Sequence, residues 1–146
     1  MIVVFHLVKR FVGSLSAAAP PVHDEVWAES FLLDGELVLW RRLGNVDRRH
    51  AIQVARRFEA LGSWTRDEMA AALLHDIGKT VSQLSTLERV AATILGNRTA
   101  RWREYRDHER IGLELCREAG STSVTLAILG NEPSNAVTAL RRADRI

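Results

Sequence analysis

Apolar residues recur at three- and four-residue spacing along most of the chain, and no stretch sustains the alternation of a half-buried strand. The pattern predicts helices throughout. One is expected from near Asp24 to Leu33 and another from near Gly35 to Leu43, broken by Gly44 and Asn45. Asp47 reads as the N-cap of a helix running to about Leu61, where Gly62 stops it. Thr65 with Glu68 fits a capping box and starts a helix that carries Met69 to His75, closed by Ile77-Gly78-Lys79. Ser85 with Glu88 fits a second box, leading to Leu95 and a stop at Gly96. Asp107 reads as the cap of a helix from His108 to Ala119, stopped by Gly120. A short helix from near Thr122 to Leu129 follows, and Ser134 reads as the cap of a last one, Asn135 to Arg145. The expected class is all-α.

The first sixteen residues carry an apolar stretch from Ile2 to Val12, with Lys9 and Arg10 inside it rather than before it. That arrangement does not match a signal peptide, and the stretch is shorter than the roughly 20 residues of a membrane span. Residues 1–16 are expected to form an amphipathic helix docking on the domain, with weak peripheral membrane contact as the lesser reading. Ala17 to Pro21 is the one plausible linker, so residues 22–146 form the helical domain.

Composition adds constraints. A chain of 146 residues that is 47% hydrophobic is long and apolar enough for one folded domain with a substantial core. Four of its nine aromatics are Trp, expected as inter-helix fillers. Its formal charge of +2 is too small to argue for nucleic acid, and none is expected as a partner. The single cysteine, Cys116, excludes an intramolecular disulfide framework; it reads as a small core residue, and a cytoplasmic setting is expected.

Candidate chemistry lies on the inward faces. His50 aligns with Val54, Phe58 and Leu61, and His108 with Ile111, Leu115 and Ala119. Asp144 aligns with Val137 and Leu140, Asp76 with Met69, Ala72 and Leu73, and His75 follows an apolar run from Ala70 to Leu74. A lone inward His is usually a hydrogen-bonded core residue, and a lone Asp near a helix end is often a cap or an arginine partner. Here three imidazoles and two carboxylates are all expected to point into one small domain. Ionised carboxylates there are costly unless paired or bound to metal. A mixed imidazole and carboxylate set suits a divalent ion such as Mn, Fe, Co, Ni or Zn, and is less suited to Mg.

The string Ala71-Ala72-Leu73-Leu74-His75-Asp76-Ile77-Gly78-Lys79 resembles the signature of the HD-domain superfamily, metal-dependent phosphohydrolases with an all-helical fold. Asp47-Arg48-Arg49-His50 resembles that family's first element and Ala143-Asp144-Arg145 its last; Tyr105 to Gly112 is similar to a further His segment of many members. The resemblance covers about Asp24 to Ile146. It implies a compact HD-domain bundle with His50, His75, Asp76 and Asp144 as metal ligands. It places Asp76 and His108 in catalysis, with His108 near the phosphate or a second site. Lys79 would neutralise substrate charge; equally, it would be a helix-end cation facing the dipole. The implied substrate is a small phosphate ester, a nucleotide or another. Members with two metals carry a further His where Gly130 and Asn131 stand here, which tells against two-metal chemistry. The alternative reading is a catalytically weak module that binds metal or nucleotide in a regulatory or assembly role.

Overall fold

A computed structural model describes residues 18–80 and 98–146, with backbone alone for residues 98–107. The expected N-terminal helix and the helix from Ser85 to Leu95 lie outside the described residues. Those residues form seven α-helices and no strand: α1 (Val22–Glu29), α2 (Asp34–Arg42), α3 (Asn45–Ala60), α4 (Arg66–Leu74), α5 (Arg98–Glu118), α6 (Ser123–Leu129) and α7 (Asn135–Asp144). A 3-10 turn, Ile77–Thr80, follows α4.

Helix α4 is the centre of the fold. Every residue from Met69 to Leu74 is buried, so the helix is enclosed on all sides rather than along one stripe. Three successive alanines leave room for neighbours to come close, and α3 and α6 both pack on it. Its start is the expected capping box: the Glu68 N–H donates to Thr65 Oγ1 at 3.3 Å, and the Thr65 N–H to Glu68 Oε1 at 2.9 Å. Helix α3 lays Ala51, Val54, Ala55 and Phe58 into the core, while Leu61, expected on the same face, is exposed at its C-cap. Helix α7 packs across α3 through Val137, Leu140 and Ala143.

Two helix starts differ from the sequence expectation. Asp47 lies in the first turn of α3, whose N-cap is Gly44; there its charge still complements the helix dipole. Asp107 does not begin a helix but lies inside α5, which runs unbroken from Arg98. No Gly or Pro stands between Arg98 and Asp107 to interrupt it. The cap at Ser134 is as expected, its hydroxyl accepting from the Val137 N–H, and Thr122, where a helix was expected to begin, caps α6 by accepting from the Thr125 N–H. Helix α5 ends in a Schellman motif. Gly120 has φ +86°, its N–H reaches the Arg117 carbonyl, and the Ser121 N–H reaches that of Cys116.

The buried line of α5 is shifted from the expected one. Gly112 and Cys116 are buried, whereas Ile111, Leu115 and Ala119 are only half-buried. The cause is the 3-10 turn, which packs directly on this helix. A Cβ on Gly78 would stand 1.9 Å from the His108 carbonyl oxygen, so only glycine permits this approach. Large apolar residues mark a buried face in a sequence; a glycine at the closest contact does not.

Helices α1 and α2 add Ala28, Leu39 and Trp40 to the same core. Trp40 is fully buried, and its indole N–H donates to Glu25 Oε2 at 3.1 Å. Glu36 is fully buried yet satisfied. Its carboxylate accepts from the Leu33 N–H at 2.9 Å and the Ser121 hydroxyl at 2.7 Å, with Arg66 Nη1 at 3.6 Å.

Candidate metal centre

Three elements bring four side chains to one point. His50 comes from the middle of α3, the His75-Asp76 doublet from the C-terminal end of α4, and Asp144 from the last residue of α7. The end of α7 is tied to α3 by Arg57, whose Nε donates to the Ala143 carbonyl at 2.8 Å. The doublet emerges where a fully enclosed helix stops, so its position is set by the best-packed element of the fold.

The distances are short. His50 Nε2 lies 3.4 Å from Asp144 Oδ1 and 3.7 Å from Asp76 Oδ2. His75 Nε2 lies 3.4 Å from Asp144 Oδ1 and 3.3 Å from Asp76 Oδ2. The two imidazole rings are 6.0 Å apart, centre to centre. One ligand atom from each of His50, His75 and Asp76 falls within 4.8 Å of the others, a spacing that a single cation spans. Lys79 Nζ donates to Asp76 Oδ2 at 2.9 Å.

The hydrogen bonding of His75 says what belongs among these groups. Its Nδ1 faces the Ala72 carbonyl at 2.7 Å. A carbonyl can only accept, so Nδ1 carries a proton. Nε2 is then the nitrogen that could coordinate a metal ion. It is buried and, among the described residues, has no partner in hydrogen-bond geometry, although two carboxylate oxygens lie close by. A lone pair facing two carboxylates is repelled unless a proton or a metal ion stands between them. The donor set therefore fits a divalent ion, with the Ala72 carbonyl fixing the ligating tautomer.

The charges of the metal-free cluster follow from the same crowding. Burial works against the His75 imidazolium, but Asp76 and Asp144 outweigh it and raise its pKa from 6.5 to about 10. Burial would raise Asp76, yet His75 and then Lys79 hold it well below the usual carboxylate value. Asp144 is likewise held low, by His50 and His75 against the effect of burial.

The cluster forms the floor of a pocket of about 410 Å³. His75, Asp76 and Asp144 line it, as do Lys79 and His108, while apolar side chains of α6 and α7 form one wall. His50 meets the cluster from behind, outside the pocket lining. All six residues singled out in the sequence thus reach the cluster or its pocket. Four polar lining residues were given no role in the sequence reading: Glu109, Asn131, Arg141 and Arg145. Asn131 has φ +59°, rare for a residue other than glycine, and such backbone geometry leaves little trace in a single sequence.

Cys116 is fully buried away from this site. Burial and the nearby Glu36 push its thiol up to about 12, which fits the core role and excludes a thiolate at neutral pH.

The described residues form an all-helical domain whose His, His-Asp and Asp side chains converge, at the end of its central helix, on a candidate metal site. The family model of the HD domain matches residues 48–145, and the chain belongs to that family. No curated protein and no solved structure matches it. The matched region starts within α3, so α1 and α2 lie ahead of it. None of the described helices is long and apolar enough to cross a membrane.

Proposed function

We propose that the chain is a metal-dependent phosphohydrolase in which His50, His75, Asp76 and Asp144 hold one divalent ion, drawn from Mn, Fe, Co, Ni or Zn. The observation carrying this reading is the convergence of ligand atoms from His50, His75 and Asp76 within 4.8 Å of one another, with the His75 tautomer set by the Ala72 carbonyl. The substrate is a small phosphate ester, a nucleotide or another, of a size that a 410 Å³ pocket admits.

Such an ion supplies Lewis acidity, lowering the pKa of water and withdrawing charge from a phosphoryl oxygen. The protein's own groups do the rest. Asp76 holds the ion and, through its contact with Lys79, fixes a positive charge at the pocket floor. Lys79 and the pocket arginines stabilise charge growing on phosphoryl oxygens. His108, which lines the pocket from α5, is the group assigned to move a proton to or from the reacting ester. The apolar wall excludes water from the bound ester's other side.

A second reading, a catalytically weak module that binds metal or nucleotide in regulation or assembly, draws on Asn131 lining the pocket without a metal-binding imidazole. One screen separates the two. Purified protein is assayed on a panel of phosphate esters with each metal, beside Asp76→Ala. Metal-dependent turnover that vanishes in the variant supports the enzyme. Turnover that survives in the variant comes from a contaminant, and metal binding without turnover favours the module.

A further inference from the structure

The outer wall of the pocket holds a side-chain relay that the metal cluster does not use. Asn131, at the end of α6, bridges two elements. Its Nδ2 donates to Glu109 Oε2 on α5 at 3.3 Å, and its Oδ1 accepts from Arg141 Nη2 on α7 at 3.3 Å. The amide has only one orientation available. A carboxylate can only accept, so the nitrogen must face Glu109, and the oxygen is thereby turned to the guanidinium. The left-handed backbone at Asn131, φ +59°, is retained at a non-glycine position where it presents this amide to both partners.

The consequence concerns charge. Lys79 already donates to a cluster carboxylate. Arg141, in contrast, is tied to a neutral amide, its only hydrogen-bond partner among the described residues. The exposed side chain is anchored by that one bond, and its charge stays uncompensated by direct contact. It also stands three residues before Asp144 on α7, which puts the two side chains on one helix face with Cβ atoms about 5–6 Å apart. Both side chains line the same pocket, where a tetrahedral oxyanion would offer one oxygen to a cation at Asp144 and others to the guanidinium. The planar fork of an arginine suits that second contact better than an ammonium would.

We propose that Arg141 is a phosphate-binding residue of this site, with Asn131 its positioning residue oriented by Glu109. This rests on the metal-centred reading above, so its test separates the two. Inorganic phosphate is titrated calorimetrically into Mn-loaded protein, after the affinity for Mn alone has been measured for each variant. Arg141→Ala is expected to weaken phosphate binding about tenfold or more, the usual scale for a lost charge-assisted bond, with Mn affinity within about twofold of wild type. Arg141→Lys should recover part of the loss. Asn131→Gly, which keeps the positive φ and removes only the amide, should fall between wild type and Arg141→Ala. Phosphate affinity that is unchanged in Arg141→Ala while Mn still binds overturns the proposal and leaves the metal reading intact. Wild-type protein that takes up Mn but no phosphate overturns it as well. Protein that takes up no metal removes the metal reading and this one with it.

Discussion

His75 is the residue on which the site's protonation turns. In the metal-free protein its folded-state pKa of about 10 stands above the unfolded value of 6.5, so the imidazolium stabilises the fold. That contribution is fully present below pH 6.5 and is lost as pH rises toward 10. Asp76 and Asp144 have the opposite sign: their folded values are depressed, so their contribution is present above their ordinary range near 4 and is lost as pH falls below it. Thermal unfolding in a chelator should therefore show greatest stability between about pH 4 and 6.5, declining on either side. In His75→Asn the decline above pH 6.5 should flatten; an unchanged decline would mean that other groups cause it. The same pKa implies that ion uptake at pH 7 displaces a proton, because a ligating imidazole is neutral. Calorimetry in buffers of different ionisation enthalpy should report about one proton released per ion, and none released would place the proton elsewhere. Cys116 supplies a control for the fold: its buried thiol should resist alkylation at pH 8 in native protein and react promptly in denaturant.

At the scale of elements, the closest contact decides most. The 3-10 turn lies against α5 because Gly78 has no side chain, and this contact sets the His75-Asp76 doublet and His108 on facing sides of one pocket. In Gly78→Ala the new methyl meets a backbone carbonyl that cannot rotate away, so the turn itself must shift. A loss of about 1–3 kcal/mol in urea unfolding is expected, together with weaker ion binding. Stability within 0.5 kcal/mol of wild type, a threshold of about the scatter for surface changes, would show that the turn moves freely. What the sequence disclosed about elements follows the range of the interaction. Thr65 and Ser134 were legible as caps because each bonds a backbone N–H only three residues on. Asp47 and Asp107 were misread because an aspartate suits the first turn of a helix as well as its cap, and can also lie inside a continuing helix. The buried line of α5 was displaced because its interior positions are a glycine and a cysteine, not large aliphatics.

For the whole molecule, the domain sequesters its central helix and spends that rigidity at one end, where the doublet meets α3 and α7. The floor of the site was readable from the chain because His50 and Asp144 sit on helices whose inward face the apolar pattern marks, and the His75-Asp76 doublet directly follows the apolar run of α4. The outer wall was not. Glu109, Asn131 and Arg141 are joined through tertiary hydrogen bonds and a left-handed residue, and none of them breaks the local pattern. All depends on whether four side chains from three helices share one cation. The most direct measurement is an equilibrium metal titration of the folded wild type, with stoichiometry by elemental analysis, beside His50→Ala, His75→Ala, Asp76→Ala and Asp144→Ala, each verified as helical by circular dichroism. One ion per chain is expected, with affinity reduced about 100-fold or more in each variant, at or beyond the loss typical of supporting residues around a metal. Wild-type protein that binds no divalent ion, or folded variants that bind it as tightly as wild type, would contradict a shared cation.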